Sequence, residues 1–289
     1  MSFYKALNYW VYGGFSGEKT PYEMIDFVKA QGLDGAELTV PEALPLDITE
    51  EECRKIKAYA DARGIGLRSL ATGVYWGKSL GTDDEAVRTE AIAFTRKYLQ
   101  IANWIGAETI LVVPGAACVK WDPSVPAVPY ETVWRKSVES LNELLPLAER
   151  LSVNIALENV WNRFLLSPME WRFYLDQFSS PRIGIYFDIA NCLLYAPAED
   201  YVRTLGKRIK AIHIKNWTGE DCGGGLHGFG DDIAVGEADF PAVKTELEKI
   251  GYTGPISAEM IPFCRLPDLV LPDQPLAELT CKRICEILG

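Results

Sequence analysis

The sequence predicts an α/β protein, and more specifically a (β/α)8 TIM barrel. Two features of its 289 residues favour this fold. Short apolar, β-branched segments alternate with longer helical patterns along the whole chain, as strands and helices do in a barrel. In the second half, four consecutive apolar segments each end in a carboxylate or an imidazole. Barrels of this kind build their sites from the C-terminal ends of their strands.

Eight strands are predicted, and several are apolar on both faces, as parallel strands covered by helices must be. They span residues 5–10, 33–38, 66–71, 109–113, 154–158, 183–188, 210–214 and 255–259. Because helical patterns lie between the strands, the chain is expected to form right-handed βαβ units, eight of which close a barrel.

The predicted helices begin at recognisable sequences, in which a threonine or serine is followed three residues later by a glutamate. The four examples are Thr20-Pro-Tyr-Glu23, Thr49-Glu-Glu-Glu52, Thr82-Asp-Asp-Glu85 and Ser167-Pro-Met-Glu170. Helices are predicted over residues 22–31, 50–63, 84–105, 131–151, 168–178, 199–206, 239–250 and 275–287. No linker or change of composition divides the chain, so we expect a single domain over residues 1–289.

Composition narrows the class of protein. A formal net charge of -11 and a pI near 4.8 argue against a nucleic-acid partner, which needs a basic surface. No apolar segment reaches the roughly 20 residues that span a bilayer, so no membrane partner is expected. The first residues lack the pattern of a signal peptide. The seven cysteines form no Cys-x-x-Cys pair, which favours free thiols and a cytoplasmic location.

Glu158, Asp188, His213 and Glu259 are the four residues that end consecutive predicted strands. Three carboxylates and one imidazole are a suitable ligand set for Mn²⁺, Mg²⁺ or Co²⁺. Taken singly, each carboxylate could form a structural salt bridge and the histidine could be a hydrogen-bonded core residue. Taken together, the four favour a divalent metal site. The chain has only two histidines, which argues against a three-histidine hydrolytic zinc centre.

The two glutamates of this set suggest the chemistry. Glu158 and Glu259 end the fifth and eighth strands, so they are expected to face each other across the ion. A sugar carbonyl and a neighbouring hydroxyl could occupy the open coordination positions of the ion. The ion would then acidify the adjacent C–H and stabilise an enediolate. One glutamate would take the proton and the other would return one. Return to the opposite face of the same carbon is an epimerisation.

Three segments carry a resemblance to a known family. They are Ala156-Leu-Glu-Asn-Val-Trp-Asn-Arg-Phe-Leu-Leu-Ser167, Tyr186-Phe-Asp-Ile-Ala-Asn191 and Ile212-His-Ile-Lys215. Together with Gly251-Tyr-Thr-Gly-Pro-Ile-Ser-Ala-Glu259, they resemble the sugar phosphate isomerase/epimerase superfamily, which has a xylose isomerase-like TIM barrel. The resemblance spans nearly the whole chain. It is nearest to enzymes of the D-tagatose 3-epimerase and L-ribulose-5-phosphate 3-epimerase types.

The resemblance implies that Glu158, Asp188, His213 and Glu259 hold one divalent ion. It implies Mn²⁺ first, with Mg²⁺, Co²⁺ or Zn²⁺ as alternatives, and it makes the two glutamates the catalytic acid–base pair. At Asn191 the chain resembles the phosphopentulose branch, whereas the free-ketose branch typically has histidine there. This departure leaves the substrate open between a ketose and a ketose phosphate.

Five further residues are candidates for substrate binding. Asn191 could bind a sugar hydroxyl or start a helix, and Lys215 could meet a phosphate or hydroxyl or be solvated. His227 lies in a long glycine-rich loop after the seventh strand, which we expect to close over the site around Gly223-Gly-Gly225. Trp10 and Trp76 could pack on a sugar face, as could Tyr9 and Trp161, although core packing is the alternative for each.

The sequence therefore predicts a divalent-metal-dependent 3-epimerase of a ketose or ketose phosphate. An inosose-dehydratase-like lyase and an aldose–ketose isomerase of the hydroxypyruvate type are alternatives on the same site. A non-catalytic sugar sensor is a further alternative, but binding alone would not need both acid–base glutamates. The expected partner is a small-molecule sugar, and a homodimer or homotetramer is the expected assembly.

Overall fold

A closed parallel barrel organises the computed structural model, which describes residues 2–219 and 226–289. Each strand pairs with the next, and the eighth pairs with the first. The strands are β1 Tyr4–Asn8, β2 Gly35–Thr39, β3 Ser69–Ala71, β4 Thr109–Val112, β5 Asn154–Glu158, β6 Ile183–Asp188, β7 Ile209–Ile214 and β8 Pro255–Ala258. The predicted (β/α)8 TIM barrel is confirmed.

Helices surround the barrel and pack on their neighbours in chain order. They are α1 Tyr9–Gly13, α2 Pro21–Ala30, α3 Glu50–Asp61, α4 Glu85–Ile105, α5 Tyr130–Leu151, α6 Pro168–Leu175, α7 Ala198–Leu205, α8 Phe240–Lys249 and α9 Gln274–Leu288. Buried apolar side chains between strands and helices form one large core. Among residues 2–219 and 226–289, no helix combines the length and apolar character needed to cross a membrane.

Three of the four predicted helix starts are observed. Thr20 and Thr49 complete capping boxes, and the Ser167 hydroxyl accepts a hydrogen bond from the Glu170 amide. The fourth prediction is wrong, because the N-cap of α4 lies two residues after Thr82. Asp84 is the N-cap and accepts from the amides of Ala86 and Val87. A carboxylate in that position outcompetes the threonine as a cap.

The first strand is shorter than predicted, because Asn8 ends it by capping α1. The Asn8 Oδ1 accepts a hydrogen bond from the Trp10 amide at 2.9 Å. Tyr9 and Trp10 therefore lie in a short helix at the C-terminal rim of the barrel rather than in β1. The turn brings the indole of Trp10 over the strand ends, where the site lies.

The third strand is also shorter than predicted, because it begins at Ser69. The residues before it make a close contact at the N-terminal end of the barrel instead of a continuous strand. Gly35 and Gly66 form an isolated bridge, and the Tyr4 hydroxyl donates to the Gly66 carbonyl at 2.8 Å. A Cβ atom at Gly35 would lie 1.6 Å from that hydroxyl oxygen. Glycine is required there because the tyrosine occupies the space that a side chain would need.

Candidate active site

The four predicted metal ligands meet at the C-terminal rim of the barrel. Glu158 and Asp188 are the last residues of β5 and β6, His213 is the next to last of β7, and Glu259 follows β8. Each offers one ligand atom, and these atoms all lie within 4.8 Å of one another. All four side chains are buried. Neighbouring strands in parallel register bring together residues that are 25 or more positions apart in the chain.

His213 is oriented by a carboxylate on its far side. Its Nε2 lies 2.6 Å from Oε1 of Glu37, and because a carboxylate only accepts, Nε2 carries the proton. Its Nδ1 then faces the cluster, at 3.5 Å from both Glu158 Oε1 and Glu259 Oε2. A carboxylate that holds the second nitrogen of a ligand histidine is the usual support of a metal site.

Two atoms of this cluster lack a hydrogen bond among the residues that the structure describes. They are Nδ1 of His213 and Oδ2 of Asp188, and both are buried. The Asp188 oxygen lies 2.9 Å from the Lys215 ammonium, but this ion pair lacks the geometry of a hydrogen bond. Buried polar atoms without partners are costly. Their position among carboxylates fits a divalent cation.

The ionisation of the cluster reflects its burial and its charge. Burial, together with the nearby charge of Glu259, raises the pKa of Glu158 to about 7. Burial also raises the pKa of Asp188. For His213, burial would lower the pKa, but the carboxylates of Glu259 and Glu37 outweigh it and raise the pKa well above its usual value. A site that holds protons this strongly is one that attracts positive charge.

Lys215 is part of the cluster rather than a solvated side chain, so that alternative is wrong. It is buried, and its Nζ lies 2.8 Å from Glu259 Oε2 and 2.9 Å from Asp188 Oδ2. Burial would lower the pKa of Lys215, but these two carboxylates raise it above its usual value. The lysine therefore remains charged, and its charge is already paired within the protein.

Asn191 is held in place by its neighbours at the end of β6. Its backbone amide donates to Asp188 Oδ1 at 2.8 Å, and its side-chain amide donates to the Asn159 carbonyl at 3.0 Å. Asn159 in turn exchanges hydrogen bonds with the Asp188 backbone at 2.7 and 2.8 Å. Asn191 lines the cavity.

Glu37 was missed in the sequence, although it organises the barrel interior beneath the cluster. Besides His213, it accepts hydrogen bonds from Asn8 at 2.8 Å, Ser69 at 2.5 Å, Ser257 at 3.2 Å and the Tyr186 hydroxyl. Burial alone would raise its pKa, but the charge of His213 and these donors hold the pKa at about 2. The sequence feature that could have identified Glu37 is its position inside the apolar segment Gly35-Ala-Glu-Leu-Thr39, which forms a buried strand. An unpaired charge is costly there, so a glutamate in that position must have partners.

A cavity of about 400 Å³ opens above the cluster, which is a suitable size for a small molecule. The candidates Trp10, Trp76, Trp161, Asn191 and Lys215 all line it. The lining residues that the sequence did not indicate include Phe15, Glu42, Trp121, Leu226, Phe229 and Phe263. The aromatic rings make most of its wall apolar.

The other sequence candidates lie elsewhere. Tyr9 is buried in the core, and its hydroxyl donates to the Lys19 carbonyl. His227 is exposed and is not among the described residues that line the cavity. The predicted lid residues Gly223-Gly-Gly225 lie outside the described residues.

Fold and site together define the class: a TIM barrel with a buried centre of three carboxylates and one histidine at its C-terminal rim. Within that class, the chain belongs to the xylose isomerase-like TIM barrel family, whose family model matches residues 25–277. The resemblance predicted from the sequence is confirmed.

The relatives are sugar epimerases. L-ribulose-5-phosphate 3-epimerase UlaE of Escherichia coli O1:K1 / APEC is 26% identical over 247 residues, which cover 82% of this chain and 81% of the relative. The D-psicose 3-epimerase of Clostridium cellulolyticum H10 has a TM-score of 0.80 at 18% identity, with 100% and 98% of the two chains covered. An L-ribulose 3-epimerase structure has a TM-score of 0.79 at 17% identity, with 98% and 93% covered. The prediction of a sugar isomerase or epimerase is confirmed at the level of the enzyme class.

Proposed function

We propose that the chain is a divalent-metal-dependent 3-epimerase of a ketose or ketose phosphate. One observation carries the proposal: two buried glutamates, Glu158 and Glu259, each lie 3.5 Å from His213 Nδ1. The names of the relatives support the reaction at C3. The cavity above the glutamates is open to a small sugar.

The four clustered residues are proposed to hold the ion. Glu158, Asp188 and Glu259 would supply oxygen ligands, and His213 would supply Nδ1. The ion, Mn²⁺ by preference, would place positive charge beside the substrate carbonyl and so lower the pKa of the neighbouring C–H. The proton transfers themselves would be carried out by side chains of the protein.

The two glutamates are proposed to divide the proton transfers according to their surroundings. Glu259 accepts a hydrogen bond from the Lys215 ammonium at 2.8 Å, which fixes the position of its carboxyl group, and we assign it as the group that takes the C3 proton. Glu158 lies within 3.5 Å of the same His213 Nδ1, and we assign it as the group that delivers a proton to the opposite face of C3. In the reverse reaction the two exchange roles.

A reaction in D₂O tests this function. The Mn²⁺-loaded protein is incubated with a panel of ketoses and ketose phosphates, and products are separated by chromatography and examined by NMR. We expect solvent deuterium at C3 of the epimer and none at C1. Deuterium at C1 or C2 would indicate an aldose–ketose isomerase, and loss of water with a new enone absorbance would indicate a dehydratase. Either result would contradict the 3-epimerase.

A further inference from the structure

We propose that the substrate is an uncharged sugar without a phosphate group, and that Glu42 selects it by accepting a hydrogen bond from one of its hydroxyls. This inference rests on the proposed function, because it names the substrate class of the same site. It departs from the sequence relative, which is named for a sugar phosphate.

The charges around the cavity oppose a phosphate. Among the described residues, the charged groups that line it are Glu42, Glu158, Glu259 and Lys215. The single cation of this set is already paired with Asp188 at 2.9 Å and with Glu259 at 2.8 Å. A sugar phosphate carries a charge of about -1.5 to -2 at neutral pH and is normally met by free arginine or lysine donors. The chain between the described ranges, residues 220–225, contains no lysine or arginine.

The N-termini of α8 and α9 offer no substitute. TIM barrels frequently bind phosphate near the seventh and eighth strands, at a helix N-terminus. Here the helices that follow β7 and β8 are capped by carboxylates: Asp239 accepts from the Ala242 amide at 2.9 Å, and Asp273 accepts from the Leu276 amide at 3.1 Å. These amides are occupied, and each cap places a negative charge where an anion would bind.

Two polar atoms at the cavity lack partners among the described residues, and they match a hydroxyl. Oε2 of Glu42 is a buried acceptor, and Nε1 of Trp10 is a buried donor. A hydroxyl can both donate and accept, whereas a phosphate dianion only accepts. Glu42 would therefore be satisfied by a sugar hydroxyl and would repel a phosphate.

The remaining wall suits the apolar faces of a sugar. Trp76 and Trp121 meet edge to face at 5.0 Å between ring centroids, and Trp161 and Phe229 lie 5.2 Å apart. Aromatic rings pack against C–H groups without requiring charge. This wall would give a phosphate no compensation for its lost hydration.

The alternative place for a phosphate is a shallow depression beside the cavity. Lys120 and Arg163 line it together with Leu194 and Tyr195, and it shares Trp161 with the cavity. Lys120 is exposed, and neither cation lines the cavity. The double variant Lys120→Ala/Arg163→Ala is therefore expected to leave turnover of free ketoses unchanged.

The Mn²⁺-loaded enzyme is tested with two matched pairs, L-ribulose against L-ribulose 5-phosphate and D-fructose against D-fructose 6-phosphate. We expect kcat/KM to be at least about tenfold higher for the free sugars than for the phosphates. This is the factor expected when a substrate hydroxyl donates one hydrogen bond to the Glu42 carboxylate, whereas a phosphate would be repelled by it. Glu42→Gln should move the preference about tenfold towards the phosphates. The control Asp47→Asn, an exposed carboxylate in the same loop, should not move it.

Several results would overturn the inference while leaving the epimerase intact. These are a preference of the wild-type enzyme for the phosphates, an unchanged preference in Glu42→Gln, and loss of phosphate turnover in the Lys120/Arg163 double variant. If neither sugar of a pair is converted, the proposed function fails, and binding decides the inference separately. Quenching of tryptophan fluorescence would then compare ketose, ketose phosphate and inorganic phosphate at equal ionic strength. Tighter binding of either phosphate compound would reject an uncharged ligand.

Discussion

At the scale of single residues, the two acid–base glutamates give the most direct prediction. Glu158→Gln and Glu259→Gln should each lower turnover by at least about 10² to 10⁴, because each loses a group that transfers a proton. Substrate binding should change less. Product formation is followed by chromatography with the Mn²⁺ content of each variant measured alongside. Glu51→Gln, which alters an exposed carboxylate on α3, is the control. Turnover close to wild type in either metal-loaded variant would exclude the two-glutamate mechanism.

The residues at strand ends could be found from the sequence, whereas those inside the barrel or on loops could not. Asp188 follows five residues of a buried strand, so its position at the rim is a consequence of strand length. Glu37 lies in the middle of its strand, and its partners come from distant parts of the chain. Glu42 lies in a loop, and no periodicity gives the direction of a loop side chain.

At the scale of elements, the strand and helix order was predictable because period and capping are local properties. The errors fall at boundaries. Asn8 ends β1 early through one side-chain hydrogen bond, and Asp84 replaces Thr82 as the cap of α4. Which of two neighbouring capping residues is used depends on the conformation of the preceding loop. That conformation is set by contacts with parts of the barrel that are distant in the sequence.

The contact between the β7–α8 loop and α9 gives a prediction at this scale. Arg283 binds both carboxylate oxygens of Asp232 at 2.7 to 3.0 Å. Arg283→Gln removes this ion pair and should therefore lower Tm, as seen by differential scanning calorimetry. The control Lys282→Gln removes a looser ion pair of 3.7 Å on the same helix and should have little effect.

The same contact has a definite pH dependence. Hydrogen bonds from Arg283 lower the pKa of Asp232 below its ordinary value of 3.8. A lowered pKa means that the stabilisation is complete above the ordinary pKa and is lost as the pH falls through the lower, folded-state value. The Tm difference between wild type and Arg283→Gln should therefore persist at pH 7 and shrink below pH 3.8. A difference that grows in acid would contradict this role.

At the scale of the whole molecule, metal binding should stabilise the fold. An ion that binds the native state alone adds about 2.7 kcal/mol when its concentration is 100 times its Kd. Removing metal with a chelator should lower Tm, and Mn²⁺ should restore it with one ion bound per chain. Asp188→Asn, in which one ligand oxygen is replaced, should show a much smaller shift. An equal shift in both proteins would place the ion elsewhere. The expected homodimer or homotetramer stays a prediction.

The hydrogen bonds around Glu37 also constrain which substitutions this barrel can tolerate as its sequence evolves. One carboxylate in β2 is shared by side chains from β1, β3, β6, β7 and β8. A substitution at any of these partners removes a hydrogen bond from one of the two Glu37 oxygens, and the same carboxylate holds His213. Drift at one position is therefore tolerated only with a compensating change at another. New substrate preferences in this lineage should arise through the loops that carry Glu42 and Trp76, while the interior partners change as a group or not at all.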